Sequence, residues 1–174
     1  PVRCGGQLTS SKIADAQALQ ESTSTLESAA LAGANYILQA AGWLEGGLTI
    51  GYEKFVIDAE RCSALGRILQ GIEFDQNEMA KDAFIDIDEN TSNLLGSRHT
   101  MANYATANFN AELVNSESFE QWTENGALDT ETRARDTWKR LLSEHEDPEL
   151  DAGTEEELRA FIEARKSSYD DSWY

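Results

Sequence analysis

The stretch Gly42-Trp43-Leu44-Glu45-Gly46-Gly47-Leu48-Thr49-Ile50-Gly51-Tyr52 concentrates groups that can do chemistry. Adjacent glycines allow positive φ and let a backbone approach a ligand closely. Free N–H groups at the start of a following helix can hold an anion. Trp43 and Tyr52 offer aromatic faces to a cation, with Glu45 as counter-charge. The competing reading is a plain turn at Gly46-Gly47 with Trp43 as packing. No Lys follows the glycines, so this is not a phosphate-binding Walker A loop, and it is not GxGxxG.

Two further stretches carry polar groups beside glycine. Gly5-Gly6-Gln7-Leu8-Thr9 places Gln7 and Thr9 where they can hydrogen-bond a polar ligand, or where Thr9, Ser10 or Ser11 simply caps a helix. Gly96-Ser97-Arg98-His99-Thr100 holds a histidine able to act as acid, base or ligand near neutral pH, or to sit at a helix start bonded to backbone. Asp86, Asp88 and Glu89 resemble half of a calcium loop but lack its central Gly and terminal Glu, so a solvated connection is expected. The acidic run from Glu144 to Glu157 reads as solvated surface, with docking to a basic partner as its functional version. Neither GxSxG nor HExxH occurs, and Cys4, Cys62, His99 and His145 show no zinc-ligand spacing. Two cysteines are too few for a secreted disulfide scaffold; both read as small buried residues in a reducing, cytoplasmic compartment.

The elements that must position these residues alternate. Val2–Gly6 is β-compatible. Ser10 to Gly33 reads as helix, with Asp15, Ala16, Leu19, Leu26, Ala29 and Ala30 at three-to-four-residue spacing. Asn35–Ala41 is a nearly continuous apolar run, expected to be a strand covered on both faces. A helix from Tyr52 to Gln70 follows, with Phe55, Val56, Ala59, Cys62, Leu65 and Leu69 as its apolar face and Gly71 as its stop. Strands separated by helices predict parallel pairing, and in such folds the carboxyl ends of the strands bind ligands. Both chemistry-bearing glycine turns fall there. Two parallel strands alone leave both sheet edges bare, so strands are missing.

Beyond residue 71 the pattern is helical. Asn77–Ile87 is amphipathic, Asn93–Leu95 reads as a last short strand, and His99–Leu113 as a helix with Tyr104 and Phe109 inward. Ser118 caps a helix stopped by Asn125-Gly126. Asp129 caps another that runs to about His145, with Trp138, Leu141 and Leu142 on its apolar side, before Asp147-Pro148 breaks it. Thr154 through Glu157 is a capping-box pattern opening a last helix to about Ser168.

Charge sharpens this division. Of 174 residues, 14 are Lys or Arg and 32 are Asp or Glu, a formal net charge of −18. Residues 1–70 hold five basic and seven acidic residues; the remaining nine basic and twenty-five acidic residues follow. Such a chain repels phosphate backbones and anionic lipid, which argues against nucleic-acid and membrane-surface partners. Hydrophobic residues make up 40%, enough for a core, but no run approaches the roughly 18 needed to span a bilayer. The start, Pro1-Val2-Arg3 without Met or an apolar leader, reads as that of a processed or truncated product.

Four stretches, VRCGGQLTSSKIADAQALQES, GWLEGGLTIGYEKFVIDAE, LGSRHTMANYATANF and EQWTENGALDTETRA, resemble the trimethylamine methyltransferase family. They are most similar to its members without pyrrolysine, which include glycine betaine methyltransferases. Family members are much longer, and this chain corresponds to roughly their C-terminal third. The resemblance implies an α/β fold: the C-terminal portion of a TIM-type (β/α)8 barrel, with βα units over residues 1–115 and an acidic helical extension over 116–174. About 250 residues are needed to close such a barrel. It also implies transfer of a methyl group from a tertiary or quaternary amine to the cobalt of a separate corrinoid protein, with no cofactor bound directly by this chain. Trimethylamine-specific members contain pyrrolysine and none is written here, which favours a quaternary amine such as glycine betaine.

On this resemblance Trp43, Glu45 and Tyr52 line the cation pocket, and Gly46, Gly47 and Thr49 shape its loop. Gln7 and His99 contact the carboxylate of a betaine. The resemblance assigns no catalytic acid or base. A homo-oligomer burying the bare sheet edges is also expected. Two readings compete: a non-enzymatic acidic helical module for a basic partner, and a phosphate-binding half-barrel resting only on Gly46-Gly47 and the helix after it.

Overall fold

Val2 begins the fold by donating its amide to Asn35 Oδ1 at 2.8 Å. This aligns β1 (Arg3–Gly5) beside β2 (Tyr36–Leu38), and the two pair in parallel, Arg3 against Tyr36 and Gly5 against Leu38. The computed structural model behind this description covers the chain except residues 73, 76, 78, 86–92, 147–149 and 170–174. Between the strands runs α1 (Ala16–Leu31), which turns Ala18, Ser22 and Leu26 inward at every fourth position. It starts later than its periodicity predicts. Ser11 Oγ donates to Asp15 at 2.9 Å and Asp15 accepts from the Ala18 amide at 2.9 Å, so local side-chain bonds displace the helical start to Ala16. Gly33 ends it at φ +80, a left-handed conformation that favours glycine.

The strand expected over Asn35–Ala41 is only three residues long, and Tyr36 is 60% exposed rather than covered on both faces. Gln39, at φ +55, breaks the extended run. The glycine-rich turn is a small antiparallel hairpin: β3 (Trp43–Leu44), a 3₁₀ turn (Glu45–Gly47) and β4 (Thr49–Ile50), with Trp43 opposite Ile50. A hairpin forms because Gly46 and Gly47 both take positive φ.

α2 (Tyr52–Leu69) has the expected limits, with Gly71 beyond it at φ +72. Its buried face matches the expected one only at Leu65. Lys54, Asp58 and Leu65 point inward, while Phe55 and Leu69 are 51% and 56% exposed. Apolar residues are spread around this helix, so polar ties rather than hydropathy select the inner face. The described apolar core is small: Ala18, Leu26, Leu44, Leu65, Ala83, Leu113 and Ala134.

Short helices follow: α3 (Lys81–Ile85), α4 (Arg98–Asn103) and α5 (Phe119–Glu124), then the longer α6 (Thr130–Glu144). Asn93–Leu95 is not a strand; the Leu94 carbonyl is spent on Ser97 N and Thr100 Oγ1, which turns the chain into α4. That helix stops ten residues short of Leu113, where Thr106 N and Ala107 N turn back onto the Asn103 carbonyl. Tyr104 is consequently 68% exposed rather than inward, and Phe109 38%. Ser118 caps α5 by accepting from Gln121 N, and Asp129 accepts from Thr132 N at the start of α6. Glu60 of α2 accepts from Glu112 N and Leu113 N, while Arg133 donates to the Leu113 carbonyl, so the segment between α4 and α5 is stitched to α2 and α6.

The chain divides into two compact units, Pro1–Arg140 and Leu141–Tyr174. The second holds α7 (Ala152–Ser167), capped by Asp151 rather than Thr154 because the Asp151 carboxylate accepts from both Gly153 N and Thr154 N. The fold is mixed α/β and mostly helical. It does not show the expected barrel: the described residues supply two parallel strands, and a cylinder needs eight. Asp86, Asp88, Glu89 and Asp147-Pro148 lie outside the described residues. Among those described, no helix is long and apolar enough to cross a membrane, and no group of three or more His, Cys, Asp or Glu is placed to hold a metal ion.

Candidate functional site at the strand ends

The carboxyl ends of β1 and β2 touch. A Cβ on Gly6 would lie 2.9 Å from Ile37 Cγ2 and 3.0 Å from the Leu38 carbonyl, so the absence of a side chain lets the two chains leave the sheet side by side. Gln7 then turns inward and is wholly buried. Its amide nitrogen donates to the Ala40 carbonyl at 2.6 Å, the Asp58 carbonyl at 2.9 Å and Cys62 Sγ at 3.2 Å. One side chain therefore joins the exit of β1, the exit of β2 and α2.

Beneath it lies a buried ion pair. Lys54 Nζ donates to Asp58 Oδ2 and, at 2.9 Å, to Ser22 Oγ of α1; Ser22 Oγ in turn donates to the Gln7 carbonyl. Asp58 Oδ2 also accepts from Gly42 N at 2.9 Å. Asp58 Oδ1 and Gln7 Oε1 are buried without a hydrogen-bond partner among the described residues. Burial pushes the Asp58 carboxyl above its usual range, against the opposing pull of Lys54 and the Gly42 amide. Burial likewise raises the Cys62 thiol, but Cys4 and Cys62, both expected to be buried, are each partly exposed. Both cysteines are free.

Above the pair the backbone is unusual. Gln39, Gly42, Glu45, Gly46 and Gly47 all have positive φ, at 55°, 86°, 52°, 64° and 92°. A non-glycine residue in this region costs on the order of 1–3 kcal/mol and persists only where its surroundings impose it, often at binding sites. Here Glu45 N donates to the Ser11 carbonyl and Gly46 N to the Thr9 carbonyl, each at 2.8 Å. The turn after β1 is itself anchored by Glu21, which accepts from Thr9 Oγ1 and Ser10 N at 2.7 Å. Those bonds hold the Glu21 carboxyl below its usual range.

The fold thus gathers Gln7, Trp43, Glu45, Gly46, Gly47 and Thr49 at one end of the sheet. Trp43 is half-buried, with its ring 3.9 Å from the Cβ position of Gly47; Glu45, Gly46 and Thr49 are exposed. Gln7 is a core stitch and offers no exposed atom to a ligand. Tyr52 opens α2 and stacks on Trp138 of α6, ring centroids 4.9 Å apart, rather than facing Trp43. Glu53 completes that contact by accepting from Trp138 Nε1 and Arg135 Nε. His99 sits on α4, its Nε2 2.7 Å from the Asn77 carbonyl; among the described residues no hydrogen bond joins it to the strand ends.

A groove of about 310 Å³ runs where α1 and α6 begin, with Leu19, Ile57, Lys54 and Asp129 in its lining and none of the eight expected site residues. Lys54, Asp58 and Ser22 lie outside the expected site, and Trp138, expected as packing on its own helix, is the ring against Tyr52. The signal for the first two was present: a Lys and an Asp four residues apart inside an otherwise apolar helical face.

Comparison with known proteins now bears on this arrangement. The family described as trimethylamine methyltransferase (MTTB) matches residues 1–170. Glycine betaine methyltransferase of Desulfitobacterium hafniense (strain Y51) is 34% identical over 165 residues, covering 95% of this chain and 34% of the relative. Trimethylamine methyltransferase MttB of Desulfitobacterium hafniense (strain DSM 10664 / DCB-2) is 30% identical over 169 residues, covering 97% and 34%. MttB of Methanosarcina barkeri is 29% identical over 171 residues, with the same coverage. The chain spans about a third of the length of these curated relatives. With the match running through both glycine turns, α2 and the helices beyond, this chain belongs to the trimethylamine methyltransferase (MTTB) family.

Proposed function

We propose that this chain is the C-terminal third of a methyltransferase that takes a methyl group from a quaternary amine, glycine betaine or a close analogue, and delivers it to the cobalt of a separate corrinoid protein. The observation that carries the reading is the 34% identity to a glycine betaine methyltransferase across nearly the whole chain. The chemistry asks little acid–base work of the protein. A quaternary nitrogen is already positive, so the amine leaves neutral without being protonated. What the enzyme must supply is a pocket that holds the cation with one methyl exposed and in line with its acceptor.

The sheet end offers groups of that kind. Trp43 presents an aromatic ring and Glu45 a carboxylate on the same hairpin, a combination that attracts ammonium without needing a hydrogen-bond donor on the ligand. Gly46 and Gly47 hold the hairpin in a shape closed to most residues, and Thr49 borders it. Tyr52 and His99 lie beyond this cluster; closing a complete pocket, and any role for His99 toward a betaine carboxylate, falls to the full-length enzyme. A cytoplasmic setting, where a corrinoid partner can be kept reduced, accords with this chemistry, and pairing of bare sheet edges between copies is a further expectation.

The test is direct. The full-length protein, mixed with glycine betaine and a reduced cognate corrinoid protein, should shift the corrinoid's visible absorbance to that of the methylated form and release dimethylglycine. Absence of transfer from a panel of quaternary and tertiary amines overturns the reading. Trp43→Ala and Glu45→Ala should each abolish amine binding; retained affinity in both would leave the acidic-module reading standing.

A further inference from the structure

We infer that Asp58 is a positioning residue: from inside the core, paired with Lys54, it sets the conformation of the Gln39–Gly47 rim through the amide of Gly42. The inference rests on the reading above only in taking that rim as part of the amine pocket. Three observations carry it. First, an ion pair with side chains 2% and 0% exposed is an expensive way to hold a helix, since apolar residues of similar volume usually serve stability as well or better. Second, Asp58 spends one carboxylate oxygen on both Lys54 and Gly42 N, and Gly42 is where the chain enters the hairpin at φ +86. Third, beside the hairpin's own ladder and the Gly51 N–Gly42 carbonyl bond, the segment is tied from outside the hairpin at four points. Gln7 takes the Ala40 carbonyl, Asp58 takes Gly42 N, and the Ser11 and Thr9 carbonyls take Glu45 N and Gly46 N. The ladder closes only the hairpin itself, so the approach to it through left-handed Gln39 and the left-handed Glu45 are anchored by bonds from the helix and the neighbouring strand exit.

This separates two roles that one contact could serve. If the pair only stabilises the fold, any well-packed replacement will do. If it positions the rim, a replacement that restores packing will leave the Gly42 amide without its acceptor and the hairpin free to move.

The experiment uses the full-length protein and the double variant Lys54→Met/Asp58→Val, which removes both charges with little added volume. Expected is a melting temperature close to wild type, hydrogen exchange in the peptide covering 39–51 accelerated tenfold or more, and a KM for glycine betaine raised at least tenfold. Restored melting temperature with wild-type exchange and wild-type KM overturns the inference. Wild-type protein supplies a measurement independent of how the variant folds: the Gly42 amide should exchange at least a hundredfold slower than in an unstructured peptide, and exchange at the unstructured rate also overturns it. If wild type turns over no quaternary amine, the functional reading fails alone, and the exchange measurements still decide the positioning role.

Discussion

Helices α2 and α7 carry the same device with opposite consequences. Each has oppositely charged residues four positions apart, Lys54 with Asp58 and Glu155 with Arg159. By helix-surface rules the α7 pair is the better one, because the acid precedes the base and suits the helix dipole. Yet its side chains are 46% and 76% exposed, where water and salt screen them. The α2 pair has the less favourable order but is buried, and it touches α1 through Ser22 and the hairpin through Gly42. Spacing makes a pair; burial decides whether anything depends on it.

The largest effect expected from this contrast is in α2. Asp58→Ala leaves the Lys54 ammonium buried without its partner and should cost about 3–5 kcal/mol in denaturant unfolding. A loss no greater than that of a surface variant would break the comparison. Next comes Gly42→Ala. The new Cβ would sit at φ +86, 3.1 Å from Ile50 Cγ2 and 3.2 Å from Phe55 Cβ, for a loss of about 1–3 kcal/mol. Gly66→Ala in the same helix meets nothing within 4 Å and should instead stabilise by about 0.5–1 kcal/mol. Ser118→Ala removes the cap of α5 and should cost about 1 kcal/mol. At the small end, Glu155→Gln should change unfolding by less than about 0.5 kcal/mol and lose even that in high salt.

Acidity sharpens the same contrast. Burial raises the Asp58 carboxyl, so the folded state holds its proton more tightly than the unfolded chain, and this group's contribution to stability falls as pH rises from 3.8 through the raised folded value. The cap Asp151 behaves oppositely. Its hydrogen bonds to Thr154 and Gly153 lower its folded value, so its contribution is present above 3.8 and lost as pH falls through that lowered value. Thermal melts across pH for wild type, Asp58→Asn and Asp151→Asn should give difference curves of opposite slope; parallel curves would reject this assignment.

Several elements were legible in the residues themselves. The end of α2 followed from Gly71, the start of α5 from Ser118, and the parallel pairing of β1 with β2 from a helix lying between them. The turns at Gly5-Gly6 and Gly42–Gly47 stood out as the chemistry-bearing end of the sheet for the same local reasons. Misreadings arose where competing local bonds or distant partners decide. Side-chain bonds at Ser11 and Asp15 delay α1, and the turn at Asn103 cuts α4 short. Gln7 was read as a ligand contact from its place after a strand, but three acceptors from residues 33 to 55 positions away claim its amide. Tyr52 and Trp43 stand in one stretch of sequence and are expected to face a common cation; the ring that Tyr52 stacks on is Trp138, eighty-six residues on.

What this sequence determines by itself is whatever depends on covalent neighbours: where helices such as α2 and α5 stop or start at a glycine or a capping serine, where glycine permits left-handed backbone, the acidity of the second half, and membership of a methyltransferase family. What only the tertiary structure decided is which face of α2 turns inward and which polar side chains become framework. Hydropathy ranks Phe55 above Lys54 for burial, and the fold inverts that order. The reason is that this ammonium leaves water because a carboxylate and a hydroxyl converge on it, the carboxylate itself held by the Gly42 amide, and that convergence is a property of three elements at once.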